Sequence, residues 1–94
     1  MPSIETFRQS LEREQTVELL ASIEHQRWAD WQQYVHDHCE RREDGSLVLP
    51  AELVSRWDSQ IHTPYSDLTD DEKKSDREQV LRYLPTIIGL LDRL

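Results

Sequence analysis

The sequence predicts a small, mainly α-helical bundle of about four helices, with room for one short edge strand near residues 46–49. Only two glycines and four prolines interrupt the 94 residues, so few positions break a helix. Apolar residues recur about every three or four positions over most of the chain, which is the spacing of one helix face. The length fits a single domain, residues 1–94, whose core is close to the smallest that folds unaided.

The first part of the chain is predicted to form a short helix followed by a longer one. Pro2 and Ser3 form a helix start. Thr16 either caps the second helix or lies inside a first helix that simply continues. The second helix is expected to reach about Arg41. The apolar residues of the short helix share one face: Ile4, Phe7 and Leu11.

A polar stretch at residues 41–46, which contains a glycine, is expected to end the second helix. The short apolar run after it is long enough only for an edge strand. A third helix is predicted from Ala51 to about Gln60, with Pro50 in its first turn, where a missing N–H costs nothing. The apolar residues of this helix are expected to be buried: Leu53, Val54, Trp57 and Ile61.

The last helical region begins with a capping box. Thr69 and Glu72 have the spacing at which each side chain bonds the backbone N–H of the other residue. Apolar residues follow at helical spacing towards the end of the chain. Pro85 lies inside this run and removes a helical hydrogen bond. Either a kink or a new helix start near Leu84 would accommodate it.

Charged residues interrupt the apolar faces of both long helical regions. Glu24 and His25 do so in the second helix, and Lys73, Asp76 and Arg77 do so in the last one. A charge removed from water needs a partner. We therefore expect Glu24 or His25 to face one of the three charged residues of the last region. This cluster is either a ligand site or a structural ion-pair network to which Glu24 and Asp76 belong.

The composition argues against several classes of protein. Acidic residues outnumber basic ones by 19 to 11 and give a net charge of −8, so we expect no nucleic-acid partner. The single cysteine, Cys39, excludes an internal disulfide and fits a reducing compartment. No signal-peptide pattern and no long apolar run occurs, so we expect a cytoplasmic protein that has no membrane partner.

Two motifs together resemble the ryanodine-receptor-type (RyR) domain, which also occurs in bacterial, archaeal and phage proteins. Residues 20–28 read L-A-x-x-x-H-x-x-W, and residues 64–77 read P-Y-x-x-L-x-x-x-E-K-x-x-D-R. The resemblance covers roughly residues 16–90. It implies a small, mainly helical domain, often associated with nucleotide signalling. The chain differs from the family at residues 41–57, which replace an aromatic-glycine segment.

Five residues of these motifs form a candidate ligand site: His25, Trp28, Tyr65, Lys73 and Arg77. Aromatic rings can stack on a base, while lysine and arginine can hold phosphate. In the competing interpretation the two aromatic residues belong to the core, and the charged ones form the structural network. We expect no cofactor.

The remaining reactive residues are better explained by structural roles than by metal binding or catalysis. His36 and Glu40 are four positions apart on a predicted helix, but nothing completes a metal site around them. Asp70 and Asp71 suit the first turn of a helix, and no nucleophile accompanies them. We therefore expect no metal and no enzymatic activity.

Two functions remain open at this point. The first is a binding module for a nucleotide or a nucleotide-derived signal, as the resemblance implies. The second is a protein-interaction domain, either a homo-oligomer or an inhibitor of a host protein, since three tryptophans in a thin core invite burial by a partner. The predicted core comprises Leu20, Trp28, Trp31, Val35, Trp57, Val80, Leu84, Ile88 and Leu91.

Overall fold

A computed structural model describes residues 3–93 of the chain, which are mainly α-helical. The predicted fold class, mainly helical with a short strand near residues 46–49, is confirmed. Within the described residues no helix combines the length and the apolar character needed to cross a membrane. In chain order the elements are α1 Ile4–Glu12, α2 Glu14–Asp37, β1 Glu40–Arg41, β2 Leu47–Val48, α3 Ala51–Ile61, a 3₁₀ helix Tyr65–Asp67, α4 Asp70–Val80 and α5 Leu84–Asp92.

Helix α1 starts and ends through local interactions. The Ser3 hydroxyl accepts a hydrogen bond of 3.1 Å from the Thr6 N–H and so caps the helix. Pro2, the other residue of the predicted start, lies outside the described residues. The helix ends because Arg13 has an extended backbone, with ψ at 144°. The first helix therefore does not continue into the second.

One of the two sequence interpretations expected Thr16 to cap α2, and the structure shows that it does not. The helix already begins at Glu14, and Thr16 lies in its first turn. Its hydroxyl donates instead to the Ser10 carbonyl at 2.6 Å, and both residues are buried. This hydrogen bond crosses the break between α1 and α2. It satisfies a carbonyl that has lost its helical partner and holds the corner between the two helices.

Helix α2 ends at Asp37, four residues before the predicted Arg41. Glu40 and Arg41 leave the helix because they pair with residues 47 and 48 in an antiparallel ladder. Gly45, with φ at +88°, allows the tight reversal between the two strands. The strand near residues 46–49 was predicted, whereas its partner was not, since Glu40 and Arg41 carry no apolar pattern.

Helix α3 follows Pro50, whose carbonyl accepts from the N–H groups of Leu53 and Val54 at 3.0 and 3.1 Å. Pro50 is the residue before the helix and not part of its first turn. The predicted capping box of α4 is confirmed, because Thr69 and Glu72 bond each other's N–H groups. Pro85 lies in the first turn of α5, so the last apolar run splits into two helices.

The predicted core is largely wrong. Helix α1 packs against α2 and α5, and the buried apolar side chain among the described residues is Leu90, which is 8% exposed. Leu20, Val35 and Trp57 are half-buried. Eight side chains that were expected to be buried are more than a third exposed: Trp28, Trp31, Val54, Ile61, Val80, Leu84, Ile88 and Leu91.

Helix α5 shows why the core differs. Apolar residues occupy almost its whole circumference, so sequence spacing cannot identify the side that packs. The structure turns Ile87 and Leu90 inwards and leaves Leu84, Ile88 and Leu91 facing outwards.

The chain is extended and thin for its size. It measures 58 × 34 × 16 Å, and its radius of gyration is 18.3 Å. A compact domain of this length has a radius of gyration of about 12 Å. The accessible surface is 7683 Å², whereas a compact monomer of this mass has about 5,700 Å². The helices are formed, but a large part of their apolar surface is not covered by the chain itself.

Candidate functional site

The centre of α2 and the turn before α5 are joined by a polar cluster, which consists of Glu24, Arg27 and Tyr83. The Arg27 Nε donates to both carboxylate oxygens of Glu24, at 3.1 and 3.0 Å, and its Nη2 donates to one of them. The Tyr83 hydroxyl donates to the other oxygen. Glu24 and Tyr83 are 59 residues apart, so the cluster is a tertiary contact.

A second ion pair lies farther along α2. Arg82 Nη2 donates to Asp30 Oδ2 at 2.9 Å, while Gln26 Nε2 donates to the other oxygen of Asp30 at 2.8 Å. Arg82 and Tyr83 are consecutive residues of the turn that separates α4 from α5. Two carboxylates of one helix thus bind the side chains of Arg82 and Tyr83 in this turn.

The hydrogen bonds from Arg27 and Tyr83 lower the pKa of Glu24 from 4.5 to about 2. The carboxylate in turn raises the pKa of Arg27 and that of Tyr83. Bonds from Gln26 and Arg82 lower the pKa of Asp30. Both carboxylates are therefore ionised near neutral pH and already accept hydrogen bonds from the chain's own donors. This arrangement suits a structural link better than proton transfer, which needs a pKa near the working pH.

The partners of Glu24 differ from those expected. Within residues 3–93 no hydrogen bond or ion pair joins Glu24 or His25 to Lys73, Asp76 or Arg77. The expected partners lie on α4, whereas the residues that contact α2 lie in the turn after α4. The spacing of Glu24 and Arg27 did offer a signal, because residues three apart on a helix are neighbours. Tyr83 gave none.

Four of the five predicted ligand residues form two local pairs, and Arg77 belongs to neither. The rings of His25 and Trp28 stack with their centres 6.0 Å apart on α2. The Lys73 ammonium lies 5.8 Å from the centre of the Tyr65 ring, a cation–π contact between α4 and the 3₁₀ helix. Arg77 is exposed on α4. No hydrogen bond or ring contact in the described part of the chain joins the first pair to the second.

Asp76, which was assigned to the structural network, is exposed on α4 and forms no side-chain hydrogen bond or ion pair within residues 3–93. Trp28 and Tyr65 are not core residues, because they are 53% and 51% exposed. Neither sequence interpretation therefore describes the geometry fully. The network contains Glu24 as expected, but its other members are Arg27 and Tyr83, and the ligand residues do not converge.

Aromatic side chains follow one another along α2 and the residue after it, in a series that we call the aromatic row: His25, Trp28, Trp31, Tyr34 and His38. Trp31 and Tyr34 stack with ring centres 5.5 Å apart, and Tyr34 and His38 with centres 4.0 Å apart. Trp57 of α3 packs against Trp31 at 5.3 Å, with the ring planes inclined by 58°. Trp31 and Tyr34 nevertheless remain 44% and 41% exposed.

The ligand hypothesis named two residues of the aromatic row, His25 and Trp28. The row continues beyond them. Its signal in the sequence is the spacing of three between aromatic residues at positions 25, 28, 31 and 34. Trp28 and Trp31 also share one helix face with Leu20 and Val35, and they were expected in the core for that reason. Only the exposure seen in the structure identifies the row as a surface.

The structure brings no metal-binding group together in the part of the chain that it describes: no three His, Cys, Asp or Glu residues are close enough to hold an ion. His36 and Glu40, which were considered as a helical pair, lie in different elements, since α2 ends at Asp37. Comparison with known protein families, curated proteins and solved structures finds no match for this chain.

Proposed function

We propose that this chain is a protein-interaction domain whose apolar surface is covered by another polypeptide. The observation that carries the proposal is the accessible surface of 7683 Å², which exceeds that of a compact monomer of the same mass by about 2,000 Å². A standard protein–protein interface removes about 800 Å² from each partner, and obligate interfaces remove more. The uncovered surface is therefore the size of an obligate interface.

The chemistry of the exposed residues supports the same function. Fourteen large apolar or aromatic side chains in the described residues are exposed. Three of them, Trp28, Trp31 and Tyr34, belong to the aromatic row. Tryptophan and tyrosine are enriched among the residues that contribute most to binding at interfaces. Scattered apolar residues are normal on a monomer, but several large aromatic side chains exposed along one helix mark an interaction surface.

The aromatic row is also prepared for a contact. Stacking within the row and against Trp57 limits the conformations of the rings before a partner arrives. Little side-chain entropy then remains to be lost on binding, which favours affinity. Because the net charge is −8, a partner that docks on the row is held by apolar contact and aromatic stacking, and any electrostatic attraction requires a basic rim on that partner.

Solution mass and binding of a hydrophobic dye test this proposal together. We expect the purified chain either to form an oligomer or, as a monomer, to bind a dye such as ANS and to unfold with low cooperativity. A strictly monomeric protein that unfolds cooperatively and binds no dye would refute the proposal, since such a protein covers its own apolar surface.

A nucleotide-binding module is the second candidate, and the pair formed by Tyr65 and Lys73 favours it. The RyR resemblance motivates this function, and a ring beside an ammonium group can contact a base and a phosphate. Arg77 lies one turn after Lys73 on the same helix. We expect a ligand of this class to raise the melting temperature and the Arg77→Ala variant to lose that rise while it keeps its fold. No rise with any nucleotide would refute the second candidate.

A further inference from the structure

Helix α5 carries an outward apolar seam that the rest of the chain does not cover. The seam consists of Leu81 in the preceding turn and of Leu84, Ile88 and Leu91 in the helix. These side chains are between 38% and 59% exposed. Another side of α5 is occupied, because Leu90 is buried and α5 packs against α1. A helix that is apolar on all sides is normally buried on all sides.

The spacing of the seam is that of a helix-pairing surface. Its residues follow one another by three, four and three positions, the repeat with which two helices pack side by side. Leucine occupies the first, second and fourth positions and isoleucine the third. A surface of this kind accepts an apolar helix that has the same repeat. An identical seam satisfies that requirement without further residues.

The charge distribution allows a second copy to occupy the seam. Two chains with a net charge of −8 repel each other unless they meet where charge is absent. Residues 83–91 contain no charged side chain, whereas α4 is densely charged. A basic partner protein would gain no attraction at this uncharged seam. In an antiparallel pair the start of each α5 also lies beside the end of the other, which places opposite helix-dipole ends together.

The seam supplies the apolar centre of an interface. Five of the fourteen exposed large apolar side chains belong to this region: Val80 and the four residues of the seam. A standard interface removes about 600–1,000 Å² from each partner. Its centre is apolar and its rim is polar, so the seam forms the centre and the polar residues around it form the rim. The aromatic row on α2 is separate from this area.

We propose that the seam is the interface of a homodimer, in which two α5 helices pack antiparallel about a two-fold axis. This inference rests on the proposed function and names the partner. In an isologous contact of this kind each residue meets its counterpart across the axis. The axis passes near the middle of the seam, so Leu84 of one copy lies against Ile88 of the other.

Solution mass of the full chain, measured over a range of concentrations, tests the proposal with one disruptive and one matched variant. We expect the wild-type chain to have twice its mass of 11.2 kDa. Ile88→Asp places a charge in the seam and should weaken the dimer at least tenfold, a change of about 1.4 kcal/mol. Ile61→Asp makes the same change at an exposed isoleucine of α3, outside the seam, and should leave the dimer intact.

A second experiment avoids the chance that a charged variant fails to fold. In chains that carry Cys39→Ser, we mix one population with Leu84→Cys and one with Ile88→Cys, and oxidise the mixture. The antiparallel seam predicts a disulfide between the two populations, and none for a mixture in which Ile61→Cys replaces Ile88→Cys. Equal cross-linking in both mixtures overturns the proposal.

The outcomes separate this inference from the proposed function. If Ile88→Asp leaves the mass of the dimer unchanged, the seam is not the dimer interface, although the chain remains an interaction domain. If the chain is a monomer that binds hydrophobic dye, its partner is not a second copy but a different protein. A cooperative monomer without dye binding overturns both.

Discussion

The hydroxyl of Tyr83 donates a hydrogen bond to the carboxylate of Glu24, 59 residues earlier in the chain. The neighbouring contact between Arg82 and Asp30 reinforces it. These two bonds join α2 to the turn between α4 and α5, where apolar packing is sparse. These polar groups therefore contribute to the position of α5 relative to α2, together with the packing of both helices against α1. This contribution can be tested by substitution and by pH.

Tyr83→Phe should lower the melting temperature, because it removes the hydroxyl and keeps the ring. Tyr34→Phe is the matched control, since the Tyr34 hydroxyl has no hydrogen-bond partner within the described residues. Thermal unfolding followed by circular dichroism measures both variants. We expect a decrease of a few degrees for Tyr83→Phe and no measurable change for Tyr34→Phe. Equal effects would mean that the bond to Glu24 does not stabilise the fold.

Acid should weaken the same contact. The pKa of Glu24 is lowered from 4.5 to about 2 by Arg27 and Tyr83, so the folded chain binds the proton less readily than the unfolded one. The stabilisation is complete above about pH 4.5 and is lost as the pH falls towards 2. The stability difference between the wild type and Glu24→Gln should be constant at higher pH and should shrink across this interval.

This pH experiment has a built-in control. The pKa of Asp30 and that of Glu72 are lowered too, so the wild type loses stability in acid for more than one reason. Comparison with Glu24→Gln isolates the single carboxylate, because the other groups are shared by the two proteins. A difference that stays the same down to pH 2 would contradict the assigned role of Glu24.

The capping box of α4 gives a prediction with a defined size. Thr69→Ala removes the hydroxyl that accepts the Glu72 N–H at 3.2 Å, and the loss of a cap costs about 1 kcal/mol. A domain of this length then melts about 4–8 °C lower. Ser66→Ala, in the exposed 3₁₀ helix, is the control and should leave the melting temperature unchanged. A similar decrease in both variants would show that the cap contributes nothing specific.

The sequence predicts those features that neighbouring residues determine. The cap at Ser3 and the capping box at Thr69 each depend on residues within one turn, whereas Pro85 left both a kink and a new helix start open. The strand pair was only half predicted, because β1 forms from polar residues that have no strand pattern of their own. Local chemistry therefore accounts for most of the helix boundaries.

Tertiary contacts were predicted poorly for a physical reason. Glu24 has several possible partners at similar sequence distances. The interruption of the helix at Tyr83 determines which of these partners contacts Glu24. The spacing of Trp28 and Trp31 is equally consistent with a buried and with an exposed helix face. A core prediction further assumes that a chain covers its own apolar residues. The large exposed surface shows that this assumption fails here.

Leu90 and Leu91 test the difference between a covered and an uncovered part of α5 most directly, because they are adjacent leucines that point in directions about 100° apart around the helix. Leu90 is 8% exposed against α1, and Leu91 is 48% exposed in the outward seam. Leu90→Ala removes packing within one chain, so it should cost about 2 kcal/mol, at the low end for a buried leucine. This loss should be the same at every protein concentration.

Leu91→Ala should behave differently, since its side chain is covered only when two chains meet. Its effect on the melting temperature should depend on concentration: the variant should dissociate at concentrations where the wild type remains associated, and its melting temperature should then fall below that of the wild type. If Leu91→Ala instead lowers stability by a concentration-independent amount, the outer side of α5 packs within the chain. If it has no effect at any concentration, no second chain covers the seam. The comparison needs only two conservative variants and one dilution series.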